Sequence, residues 1–180
     1  PTIVPYAAAM AFFKLKRQWV LDAVRRQKDR LKDAPVASSS EIEALRRQAK
    51  SELPPRLAEL AARYGFIYNK VTIKHNSSNW GSCSARNNIN LNLNIVRLPH
   101  VLRDYVLLHE LCHLRHHDHG HAFHLLLEHV LTDNILKLME SSDNETASLA
   151  TELARKAASS RAKYPLDYVL TRSIKQYRVV

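Results

Sequence analysis

Polar and apolar residues alternate without a break from Asn88 to Ile95. Ile89, Leu91, Leu93 and Ile95 fall on one face and Asn88, Asn90, Asn92 and Asn94 on the other. A period of two predicts a half-buried strand over these residues. Val71 to Lys74 predicts a second, shorter one. Elsewhere the period is helical. Phe12, Leu15, Trp19, Val20, Val24 and Leu31 recur mostly at three- and four-residue steps, with lysines and arginines between them, so a helix is expected over about Ala7 to Lys32. Asp33 to Ser40, with Pro35 and three serines, reads as a linker. Ser40 or a neighbour can cap a second helix, where Glu41 and Glu43 suit the positive first turn. Pro54 and Pro55 are expected to interrupt that helix, since neither donates a backbone hydrogen bond. It resumes to about Tyr64, and Gly65 suits its C-terminal cap. Pro99 opens a further helix expected to reach about His117. Turns at Asp118–Gly120 and Ser141–Asn144 then flank helices over His121 to Met139 and Glu145 to Lys163. From about Tyr164 to Val180 no clear pattern emerges.

The chemistry concentrates in His109-Glu110-Leu111-Cys112-His113. Residues four apart on a helix share a face, with Cβ atoms about 5–6 Å apart. His109 and His113 can therefore grip one ion, at Zn–N distances of about 2.0–2.1 Å. Glu110 follows the first ligand directly and comes to lie beside the metal, where a base must be to take a proton from an activated water. Val106, Leu107, Leu108, Leu111, Cys112 and Leu114 surround these three residues without a charge. Polar islands in so apolar a helix are costly unless something pairs with them, and zinc would do so.

A catalytic zinc usually takes three protein ligands and keeps one position open. His116 and His117 continue along the expected helix and climb too far for one ion, so the chain must turn back. His119 in the Asp118–Gly120 turn is the expected third ligand, with His121, His124 and Asp118 as runners-up. A competing register, His113 with His117, places Leu114 where the base belongs and cannot be catalytic. Eight of the ten histidines lie between His109 and His129, so several must be bystanders.

Composition narrows the setting. The chain of 180 residues can bury a core without staples, and 46% hydrophobic with 24% charged residues is ordinary for a globular protein. No run approaches the roughly 18 apolar residues of a membrane helix. Ile3 to Phe13 is apolar, but no basic segment precedes it, as a signal peptide requires. Cys83 and Cys112 are expected to be reduced thiols of a cytoplasmic protein. Lysine and arginine exceed aspartate and glutamate by 27 to 17, a net charge of +10. That excess is compatible with a nucleic-acid partner, although charged helix faces alone would account for it.

Two segments together resemble a known family. Trp80-Gly81-Ser82-Cys83-Ser84 precedes the asparagine-rich strand, Asp104-Tyr105-Val106 leads into HELCHL, and His119 and Phe123 follow. This is similar to the YgjP-like metallopeptidases, metal-dependent hydrolases akin to SprT-type and other zincin proteases. The resemblance covers about Trp19 to Val130. It implies an α+β, zincin-like fold, helix-rich, with a small antiparallel-containing sheet packed on the HExxH helix. It also implies one zinc ion on His109, His113 and His119, with Glu110 catalytic. The expected organisation is an N-terminal helical segment over 1–34, a metallopeptidase core over 35–130 and a C-terminal helical extension over 131–180. Relatives carry strands ahead of the first helix, so a chain opening at Pro1 is expected to be a fragment.

The expected activity is hydrolysis of a peptide or protein substrate, with an extended peptide pairing along the Asn88–Ile95 strand. Tyr105, His100 and Arg86 are candidates to support the oxyanion. Trp80 could wall the cleft, while Cys83 is expected to be structural. Two rival readings are a nucleic-acid module with a structural zinc and a basic helix over Lys14 to Lys32, and a non-catalytic metal-binding protein.

Overall fold

The computed structural model describes residues 6–32 and 38–177 and divides into two compact units, 1–37 and 38–180. In the first, helix α1 spans Tyr6–Lys32, close to the bounds its apolar stripe predicts. The second unit holds everything else. Helix α2, Ser39–Tyr64, starts from a capping box in which the Ser38 side chain accepts from Glu41 N–H and the Glu41 carboxylate accepts from Ser38 N–H. It runs unbroken through Pro54 and Pro55, contrary to the expected interruption. Two consecutive prolines free only the carbonyls of Lys50 and Ser51, both on exposed residues where water can serve them. Gly65 closes the helix in the left-handed region, at φ 66°.

Three short strands follow: β1 Lys70–Lys74, β2 Gly81–Cys83 and β3 Asn88–Asn92. The order is β1-β3-β2, with β1 parallel and β2 antiparallel to β3. The asparagine-rich strand is therefore central, paired on both sides, and offers no free edge to a peptide. It is also shorter than its alternation predicts. The Asn92 side chain accepts from Asn94 N–H at 3.0 Å and caps a 3-10 helix over Leu93–Arg97. Asn92 is anchored from behind by its Nδ2, which donates to the Asn76 and Asn79 carbonyls.

Helix α3, His100–Cys112, is buried on nearly all sides, from Val101 and Leu102 through Leu107, Leu108 and Leu111. Helices α4 (His121–Met139), α5 (Asn144–Ala158) and α6 (Pro165–Ile174) complete the unit. Helix α6 occupies the stretch that showed no clear pattern. It starts at Pro165 and buries Leu166, Val169, Leu170 and Ile174, a helical spacing once the proline is taken as its first residue. Leu57 and Leu60 of α2, Ile89 and Leu91 of β3, Leu107, Leu108 and Leu111 of α3, and Phe123 and Leu127 of α4 form one core. The fold is thus α+β, helix-rich with a small mixed sheet. No described helix is long and apolar enough to cross a membrane.

Candidate metal centre

Helix α3 ends five residues before the predicted His117, and this early stop shapes the site. After Cys112 the backbone tightens, with Leu114 N–H donating to the Leu111 carbonyl and Arg115 N–H to that of Cys112. Arg115 pins the turn to the end of α2. Its guanidinium donates to the Gly65 carbonyl at 2.9 Å and lies 4.7 Å over the Phe66 ring. The turn places the His116 carbonyl 3.0 Å from His113 Nδ1. A carbonyl there fixes the Nδ1–H tautomer and leaves Nε2 as the free ligand atom. The chain then swings His119 back over His109, with the two Nε2 atoms 3.1 Å apart.

The side chains of His109, His113 and His119 offer ligand atoms that all lie within 4.8 Å of one another. Tetrahedral Zn–N bonds of about 2.0–2.1 Å put ligand nitrogens roughly 3.3 Å apart, so the 3.1 Å pair already sits at ligand spacing. Phe123, fully buried, forms the floor beneath all three rings, at centroid distances of 5.0, 4.5 and 4.8 Å. Burial and the neighbouring His113 and His119 push His109 down to about 4, and burial lowers His113 as well. His109 and His113 are thereby held towards the neutral form, the one that binds a metal.

Glu110 is 5% exposed, and its Oε2 is buried without a hydrogen-bond partner. Burial pushes its carboxyl up to about 8. Strand β2 runs directly against it: a Cβ on Gly81 would lie 2.6 Å from Glu110 Oε1. Gly81 is thus needed for close approach. Trp80 packs half-buried against the core, and Cys83 is near enough for the Glu110 charge to raise its thiol, after burial. Three converging imidazoles, with a buried unpartnered carboxyl next to His109 on the same helix, fit a divalent cation.

The other candidates lie elsewhere. His121 Nδ1 is bonded to the Tyr164 hydroxyl, and His124 Nδ1 to Asp167 Oδ2 at 2.7 Å. Asp118 and His117 are exposed. His100 opens α3, at the end remote from His109, in a cleft with Arg56 and Asp104. Arg86 sits in the exposed turn before β3. Tyr105 is closer, its ring 6.0 Å from His109, but its hydroxyl is engaged by Asp167 Oδ1 at 3.1 Å and Thr171 at 2.7 Å. Asp167 is the residue that the sequence did not reveal. It arrives from α6 and holds Tyr105 with one oxygen and His124 with the other. Only recognition of Pro165 as a helix start could have brought it forward.

Residues 38–136, more than half of the chain, match the family model described as YgjP-like, metallopeptidase domain. No curated protein and no solved structure was found to match.

Proposed function

The chain belongs to the YgjP-like metallopeptidase family, and on that premise we propose a zinc-dependent peptidase in which Glu110 is the general base. The observation that carries the reading is the unpartnered Glu110 Oε2, buried within one helical turn of His109 and His113, which with His119 bring their ligand atoms within 4.8 Å of one another. His109, His113 and His119 would hold the ion, and a fourth position stays open because no further His, Cys, Asp or Glu joins the group among the described residues. Zinc bound there supplies Lewis acidity, polarising a substrate carbonyl and making a water easier to deprotonate. Glu110 Oε2 accepts the proton of the attacking water and hands it to the nitrogen of the leaving amine. Phe123, fully buried beneath the three rings, excludes bulk water from that side and strengthens the exchange.

The peptide docks along β2 rather than β3. Strand β2 pairs on one side only, and Gly81 brings its backbone against Glu110. A substrate strand added to that edge would pass the carboxylate.

Replacing Glu110 by Gln keeps the shape of the site and removes the base. Elemental analysis should find zinc retained, while peptide turnover falls about 10²- to 10⁴-fold. Undiminished turnover in the Glu110→Gln protein would sink the mechanism.

A further inference from the structure

Residues 155–175 carry six cations, Arg155, Lys156, Arg161, Lys163, Arg172 and Lys175, against one carboxylate, Asp167. The two oxygens of that carboxylate hold Tyr105, Thr171 and His124. Lys156 pairs with Glu152 at 2.5 Å. No ion pair among the described residues involves Lys163, Arg172 or Lys175. These three cations line one groove of about 400 Å³, together with His124, Tyr164 and Tyr168.

The groove opens beside the metal centre. Ring-to-ring steps of 6.3 and 5.1 Å lead from His119 through His124 to Tyr164. At about 3.3 Å per extended residue, the path from His119 to Tyr164 spans roughly three residues. The family match ends at residue 136, so α6 and its cations lie outside it.

We propose that this groove binds acidic side chains of the substrate, about three to five residues from the bond that is cut. The inference rests on the peptidase reading above. Its chemistry is simple: three cations without an ion pair outnumber the one carboxylate that lines the concave surface, Asp167, while Glu128 nearby accepts from the Leu166 and Asp167 N–H groups, and the net positive potential is one that carboxylates would neutralise. A single-stranded nucleic acid fits less well. Such ligands need free aromatic faces for base stacking, yet Lys163 lies 5.5 Å over the Tyr164 ring and Arg172 5.6 Å over that of Tyr168. His124 stacks on Tyr164 as well.

The test uses fluorogenic peptides sharing one cleavable core, with glutamates or glutamines three to five positions away on either side. For the zinc-loaded protein, kcat/KM for a glutamate peptide should exceed that of its glutamine twin about tenfold at low ionic strength. The preference should reside mainly in KM and shrink with added salt. Lys163→Gln, Arg172→Gln and Lys175→Gln together should bring the ratio close to one, whereas Lys163→Arg with Lys175→Arg should preserve it. Binding of a labelled glutamate peptide to the Glu110→Gln protein, followed by anisotropy, reads the groove without cleavage. Binding that depends on the three cations, with no peptide cut by the parent protein, would support the groove and sink the peptidase reading. Cleavage of both twins at equal rates would overturn the groove alone. So would an oligonucleotide of equal charge binding more tightly through the same three residues.

Discussion

Asp104 and Glu110 stand six residues apart on α3, two carboxylates only 2% and 5% exposed, yet their surroundings are opposite. Asp104 receives Nε and Nη2 of Arg56 at 2.9 and 2.5 Å, and Nδ2 of Asn134 at 3.0 Å. Glu110 Oε2 receives nothing. A buried charge with a bidentate guanidinium and an amide around it is part of the scaffold. An acid left without partners instead keeps its proton up to about pH 8 in the metal-free fold, and such a group persists where function calls for it. One helix thus holds both kinds, and the difference between them distinguishes framework from chemistry.

The comparison can be broken from either side. Asp104→Ala leaves the Arg56 guanidinium without its buried partner and should cost about 3–5 kcal/mol, a drop of roughly 10 °C or more in Tm. Zinc content of the folded fraction should be unchanged. If metal binding falls with stability in proportion, the two carboxylates are not separable.

A pH series on the metal-free protein sharpens the contrast. Glu110 has its carboxyl raised from 4.5 to about 8 by burial, so between those values the folded form holds a proton that the unfolded chain has lost. Stability should therefore fall as pH rises through that window, by up to about 1.4 kcal/mol per unit. His109, lowered from 6.5 to about 4, acts in the other direction, and stability should fall as pH drops from 6.5 towards 4. Between about 4.5 and 6.5 the two slopes offset one another, so thermal melts should show the alkaline arm from about 6.5 towards 8, and Glu110→Gln should uncover the acid arm over its full range. Glu110→Gln should remove the alkaline arm only, and its survival in that variant would mean another group is responsible.

A smaller effect is expected from Gly81→Ala. Its Cβ would lie 2.6 Å from Glu110 Oε1, so the carboxylate or the strand must move. Crowding of this kind costs about 1–3 kcal/mol. Turnover should fall by a larger factor than stability alone explains, since the displaced group is the proposed base. Equal turnover of the variant and the parent would show that Glu110 tolerates displacement.

Much of the centre was legible because it is local. Two histidines four apart, a glutamate between them and an apolar frame fix the chemistry of one helical turn whatever surrounds it. His119 was reachable only as the chain's way back to the ion. The end of α3 was not legible, because no glycine or proline marks it; the stop comes from Arg115 reaching the carbonyl at the end of α2. The alternation over Asn88–Ile95 identified a strand but overran it by three residues, since Asn92 as a cap looks no different from Asn90 as a ladder residue. That β3 is central depended on β2, three residues too short to show a period. Asp167 could not be foreseen, as nothing near Asp167 in the sequence indicates contact with residues 43 and 62 positions upstream.

The carboxylate that α6 lends to Tyr105 and His124 also bears on how small this protein can be made. Excision after residue 136, where the family match ends, would remove both partners of the Tyr105 hydroxyl and uncover the flank of α4. The shortest autonomous version of the catalytic unit must therefore extend through Ile174.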